Sequence, residues 1–380
     1  MNYTQTPGQL HIKEHLQKSI SSGRIPHAQI FSAPEGSGAL SLALAYAQQL
    51  LEIDSKDPES SRIKVEKLSH PDLHLIFPVS TTTKVKKHPI SSLFLEEFRS
   101  FVQQQAFGSY FDWMKFIGAD KKQGQIGVDE ASDLLKKMAL KSYEGGLKVV
   151  LIWQADRMNN AASNKLLKLI EEPPKNTIFL LITEHYDNLI STIRSRCQLI
   201  EFNKIDQNSG IQYLQERFPN QSHSTLEIAF NQSESKLNKA TQILEDPSNE
   251  QEFEKWFITW VRAAFKAKGD ASVIENLIDW SEEIAASGRD HQKQFLAYCI
   301  EFFRQAMMLN YGVSQLKYIN TSTPGFAIEK FAPFIHGGNI QEITEELNKA
   351  SYHIERNGNA KLILLDTSIK LTRLLHQKQS

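Results

Sequence analysis

Cysteine is scarce in this 380-residue chain: Cys197 and Cys299 are the only two. Two thiols so far apart make no disulfide framework and no cysteine-based zinc site, and they favour a reducing, cytoplasmic compartment. Net charge is also lacking, at -1. A balanced surface has no global field to hold nucleic acid, so any such contact must come from a local patch or a shared assembly. No apolar run is long enough to cross a bilayer, and the opening "MNYTQTPGQL" is neither basic nor apolar, so no membrane partner is expected. Repeats and low-complexity tracts are missing too. What is present is ordinary for a globular protein, 41% hydrophobic and 23% charged residues, in a chain long enough for two or three domains.

From His27 to Phe202 short β-like runs alternate with helical stretches: "AQIFSA", "LHLIFP", "KVVLIW", "TIFLLIT" and "QLIEF". That alternation predicts an α/β fold with a mostly parallel sheet. Helices are expected over Gly38–Leu51 and Val128–Leu140, the second with Val128, Ala131, Leu135 and Met138 as its apolar face and Asp129 and Glu130 in its first turn. After "EFNKID" the strands stop. A small helical set runs to the polar segment "EDPSNE", read as a linker, and all that follows is helical. Three stripes recur there at helical spacing: Leu296, Ile300, Phe303 and Met307; Ile343, Leu347, Ala350 and Ile354; Ala360, Leu364, Thr367 and Leu371, with Asn359 as a cap. An internal core and an oligomer surface are both compatible with such stripes. The expected division is 1–203, 204–248 and 249–380.

The stretch "SAPEGSGALSLALAYA", Ser32–Ala47, has the outline of a phosphate loop feeding a helix. A working loop needs glycines, a lysine for the β/γ oxygens and a Ser or Thr for magnesium. Gly36 and Gly38 are there, but Ala39 and Leu40 fill the lysine and hydroxyl positions. The magnesium acids are missing as well, because Trp153 and Gln154 end the strand that should carry them. His70, Asp72 and His74 suggest a metal only weakly, since Pro71 prevents a regular helical pair and the donors are few. No metal and no cofactor are expected. The basic segment "TTTKVKKHP", Thr81–Pro89, reads as a mobile surface loop, with DNA contact as the alternative.

The most specific text is "ADRMNNAASNKLLKLIEEPP", Ala155–Pro174, followed by Ser195, Arg196 and Cys197. It resembles the bacterial AAA+ clamp-loader family at Ala155, Asp156, Met158, Ala162, Asn164, Leu166, Leu167, Lys168, Glu171, Glu172, Pro173 and Pro174. The resemblance implies an AAA+, P-loop-NTPase-like module at 1–203, a small helical lid at 204–248 and an all-α collar at 249–380. Thr183 falls at the nucleotide-sensing position, and "SKLNKA" resembles the sensor helix, with Asn238 in its arginine's place. Within that resemblance, the losses together with the kept Ser195, Arg196 and Cys197 imply a non-catalytic subunit of a DNA-directed DNA polymerase holoenzyme that does not hydrolyse ATP. Arg196 would then be an arginine finger given to a neighbouring subunit, or, in the structural alternative, a salt-bridge partner; Arg194 would act locally. Implied partners are a gamma/tau-like loader ATPase and a delta-like subunit, with the sliding clamp and primed DNA reached through the assembly. The competing reading is an active loader ATPase using a displaced lysine such as Lys148.

Overall fold

The computed structural model describes residues 6–53, 55–120, 122–245, 248–266, 273–312 and 323–377. The chain divides into two compact units, Met1–Thr241 and Gln242–Ser380.

In the first unit five strands form one all-parallel sheet: β1 Ala28–Ser32, β2 Leu73–Ile76, β3 Lys148–Trp153, β4 Thr177–Thr183 and β5 Gln198–Glu201, in the order β2-β3-β4-β1-β5. All five lie where the sequence places them. Parallel strands covered on both faces read as unbroken apolar runs, and every residue of β3 and β4 is buried. Alternation divides them between two layers. Val149, Leu151 and Trp153 join Ile178, Leu180 and Ile182 on one face; Val150 and Ile152 join Phe179 and Leu181 on the other.

The helices of this unit are α1 Leu10–Ser21, α2 Ala39–Ile53, α3 Pro58–Glu66, α4 Leu95–Gln104, α5 Tyr110–Phe116, α6 Val128–Met138, α7 Asn160–Glu171, α8 Ser191–Arg194, α9 Gln207–Arg217, α10 His223–Gln232 and α11 Leu237–Glu245, the last crossing the boundary between units. The Ala- and Leu-rich α2 is buried along nearly its whole length. Asp206 and Ser222 start α9 and α10 by accepting the Ser209 and Thr225 N–H groups. The face of α6 differs from expectation. Val128 is exposed and Leu134 rather than Leu135 is fully buried, while Glu130, in the first turn as expected, turns inward.

The second unit holds α12 Ser248–Lys266, α13 Val273–Ala286, α14 Arg289–Asn310, α15 Ile328–Phe331, α16 Ile340–Glu355 and α17 Ala360–Leu375. Trp256, Phe257, Trp260, Trp280, Phe295, Phe302 and Phe303 fill its core. The three expected stripes face that core, with Ile300, Met307 and Ala360 at its margin. The Asn359 side chain accepts the Leu362 N–H and caps α17 as predicted. The linker reading is corrected in part: Ser248, Asn249 and Glu250 open α12, while Asp246 and Pro247 lie outside the described residues.

Candidate functional site

The loop Ala33–Gly38 leaves β1 at the carboxyl edge of the sheet, where open α/β folds bind ligands. Gly36 and Gly38 take left-handed conformations, with φ of 74° and 83°. Both are hemmed in by the protein itself. A Cβ on Gly36 would lie 2.8 Å from the Lys236 Cα and 2.9 Å from the Leu237 nitrogen; one on Gly38 would meet the Phe107 ring and the Thr6 methyl group. Ala39 and Leu40 are buried at the start of α2, so the two positions that should carry lysine and hydroxyl serve the core.

Glu35, which the sequence reading passed over, does most to define this loop. Its carboxylate receives the Asn238 Nδ2 at 2.9 Å and stands 3.3 Å from the Lys236 Nζ. Asn238 also donates to Asp112 at 3.3 Å. Burial works to raise the Glu35 carboxyl, but Lys239, Lys236 and the Asn238 bond outweigh it and hold the group below its usual range. The loop thus presents an anion where a phosphate binder needs a cation. Asn238 thus reaches the loop, where its amide is shared between two acids, Glu35 and Asp112.

At the end of β3, Trp153 packs among Phe98 and Phe101, ring centroids 5.7 and 6.0 Å away, in a cluster with Phe77 and Trp113. Gln154, left-handed at φ 55°, donates to Glu184 at 2.6 Å. Burial pushes the Glu184 carboxyl up, against the pull of that bond. The Thr183 hydroxyl donates to Asp156 at 2.8 Å. The positions expected for magnesium acids and sensor are thus engaged in internal packing and hydrogen bonding.

Lys148 is excluded as a displaced phosphate lysine. It begins β3, paired with Thr177 at the amino edge of the sheet, whereas the loop follows the carboxyl edge marked by Ser32, Thr183 and Trp153. Six residues of strand separate the two edges by about 16 Å. Its ammonium donates to the Leu140 carbonyl.

Ser195 and Arg196 are exposed between α8 and β5, while Cys197 tucks against the core, where burial pushes its thiol up to about 12. The Arg196 Nε pairs with Glu171 at 2.6 Å, and its Nη1 donates to the Thr192 carbonyl at 3.0 Å and the Ser195 hydroxyl at 3.3 Å. The structural alternative for Arg196 is therefore realised in the isolated chain. Its position matters equally. Gln198 pairs with Gln29 and Glu201 with Ser32, so Arg196 lies toward the amino edge, on the order of 10 Å or more along the strands from its own phosphate loop. Arg194 pairs with Asp187 at 2.8 Å and sits over the Tyr186 ring, a local role.

The histidine and aspartate of "HPDLH" are structural. Asp72 accepts the Tyr143 and Glu144 N–H groups at 2.8 and 2.9 Å and the Ser142 hydroxyl at 3.2 Å. His70 meets Glu144 at 3.2 Å, and burial beside Lys137 and Lys148 lowers His74 to about 4. Among the described residues no three His, Cys, Asp or Glu side chains converge to hold an ion, and no helix is long and apolar enough to cross a membrane.

The profile of the family described as "DNA polymerase III, delta subunit" matches residues 8–206. The DNA polymerase III subunit delta' of Bacillus subtilis (strain 168) is 33% identical over 191 residues, covering 49% of this chain and 45% of the relative. That of Escherichia coli (strain K12) is 39% identical over 83 residues, covering 22% and 25%. The DNA polymerase III subunit tau of Bacillus subtilis (strain 168) is 27% identical over 198 residues, covering 52% and 28%. These matches span about half or less of the relatives' own length. A gamma subunit-related protein of Thermotoga maritima covers 94% of this chain and 99% of its own at 15% identity, with a TM-score of 0.39, too loose a likeness to bear on the site. The profile extends from the start of α1 through the occluded loop and the Ser195-Arg196-Cys197 turn to the capping Asp206 of α9, more than half of the chain, and the chain belongs to the DNA polymerase III, delta subunit family.

Proposed function

We propose that this chain is a clamp-loader subunit of the delta' kind that does not hydrolyse ATP and lends Arg196 to the nucleotide site of a neighbouring ATPase. The observation that carries the first half is the closure of the loop: Glu35 is held by Lys236 and Asn238, and the backbone of Lys236 and Leu237 crowds Gly36. A triphosphate there would face a carboxylate and would have to displace helix α11 from Gly36. The second half is supported by the exposed guanidinium lying far from its own loop. A planar, permanently charged fork can pair two phosphoryl oxygens of a partner's nucleotide, and such an arginine contributes roughly 10³ to 10⁵ in rate, about 4 to 7 kcal/mol.

In this reading residues 204–248 form the lid and residues 249–380 the collar. The neighbours are a gamma/tau-like ATPase and a delta-like subunit, acting in the cytoplasm to load the sliding clamp on primed DNA. Two measurements test it. Labelled ATP, titrated against the isolated chain with magnesium, should show no stoichiometric binding. Reconstitution of the loader with Arg196→Ala should leave assembly intact and lower ATP turnover by at least a hundredfold at the site it serves. Full turnover with the variant would sink the trans role; magnesium-dependent ATP turnover by the isolated chain would sink the non-hydrolysing one.

A further inference from the structure

Residues 80–90, between β2 and α4, are basic and tied down rather than loose. At one end Val79 pairs antiparallel with Gln125. At the other the Ser91 N–H donates to Glu130 at 2.6 Å, while the Ser91 hydroxyl bonds both the carbonyl and the N–H of Phe77. Between them Thr82 and Val85 close a turn, the Thr82 N–H donating to the Val85 carbonyl at 2.8 Å and the Val85 N–H to the Thr82 hydroxyl at 3.1 Å. Lys122 braces the turn through the Thr81 carbonyl at 2.8 Å.

Not one Asp or Glu occurs from Leu73 to Leu95, yet this segment carries Lys84, Lys86, Lys87 and His88. Lys84 leans on Glu97 at 3.1 Å and His88 on Asp129 at 2.8 Å, with the Lys84 and His88 side chains 81% and 80% exposed. Such pairs are weak and leave most of the local field in place. Lys86 and Lys87 are exposed and pair with no acid among the described residues.

We infer that this loop docks on the phosphate backbone of duplex DNA. Ammonium groups and threonine hydroxyls on a fixed backbone are the donors that contact phosphates without reading sequence. Residues 80–90 include no Phe, Tyr or Trp, and their one imidazole, His88, is held by Asp129, so the segment lacks the run of aromatic rings on which successive bases of a single strand stack. Their only aliphatic side chains, Val85 and Ile90, are half-buried and offer no apolar wedge to a bilayer. The inference rests on the loader reading only for the presence of duplex DNA.

The test is fluorescence anisotropy of a short labelled duplex titrated with the full chain at rising salt, for the native protein and Lys86→Ala/Lys87→Ala. Two phosphate contacts at a slope of about 0.9 each mean that, from about 50 to 200 mM salt, the native chain loses about tenfold more affinity than the variant. Lys86→Arg/Lys87→Arg should keep the native slope. The inference fails if the native chain does not bind duplex at low salt, if the alanine variant keeps the native slope, or if the lysines act only on phosphatidylserine vesicles. Co-purification with the loader ATPase is scored separately: its loss with DNA binding intact would reject the loader reading and leave the loop's role standing.

Discussion

Glu130 makes the stability of the first unit depend on pH in an unusual direction. It lies on α6, 3% exposed, with its Oε2 accepting the Ser91 N–H at 2.6 Å. Burial, its largest influence, pushes the carboxyl up to about 7, helped by Asp133; the Ser91 bond and Lys137 pull it down without offsetting burial. In the unfolded chain the group titrates near 4.5. Between those values the unfolded chain has released a proton that the folded chain still holds, so stability falls as pH rises from about 4.5 to about 7 and levels off above. A rise of that size corresponds to about 3 kcal/mol. Glu130→Gln retains an oxygen for the Ser91 N–H and cannot ionise. Its stability relative to the native chain should therefore improve by about 2 to 3 kcal/mol between pH 5 and pH 8. Urea unfolding at each pH, followed by hydrogen exchange in β3 and β4, isolates this unit from the other. Parallel pH curves for the two proteins, or a gap that widens toward acid, would refute the reasoning.

Other perturbations test the loop and the second unit. Gly36→Ala puts a methyl group against backbone at Lys236 and Leu237 in a left-handed residue and should cost about 3 kcal/mol, whereas Gly38→Ala meets a ring edge and a methyl group and should cost less; thermal unfolding ranks them. Glu35→Ala removes the shared counter-charge of Lys236 and Lys239, so weak triphosphate binding should appear in a titration where the native chain shows none. Asn359→Ala deletes the cap of α17 and should lower the stability of the second unit by about 1 kcal/mol, read from exchange of α17 amides.

The sheet was legible because strands buried on both faces carry their signal locally: "KVVLIW" and "TIFLLIT" read as strands without knowledge of any partner. The face of α6 was not. Leu134 and Leu135 are adjacent, so a helical pattern can be drawn through either, and the inward turn of Glu130 depends on a Ser91 N–H that no local pattern reveals. Glu35 escaped for a related reason, since Asn238 lies 203 residues away in the sequence. Lys148 could be placed on a strand, but only the register shows which edge of the sheet it occupies. No element was drawn between the basic loop and Val128, where α4 and α5 build the aromatic cluster under Trp153.

The pairing of Arg196 with Glu171 looks at first like an objection to the proposed trans role, and magnitudes decide its weight. The two side chains are 39% and 38% exposed, so the pair is worth at most about 1 kcal/mol and is screened further by salt. A neighbour's phosphate offers a guanidinium several times that at the transition state. In the proposed role, exchange of Glu171 for phosphate would therefore be favourable at the transition state of the partner site. Until then the bonds to Glu171, Thr192 and Ser195 hold the fork in one place at the surface. A side chain ordered before docking loses less rotamer freedom on binding, about 0.5 to 1.5 kcal/mol for one as long as arginine. In the proposed role the weak internal pair is thus compatible with delivery of the charge and lowers its entropic cost.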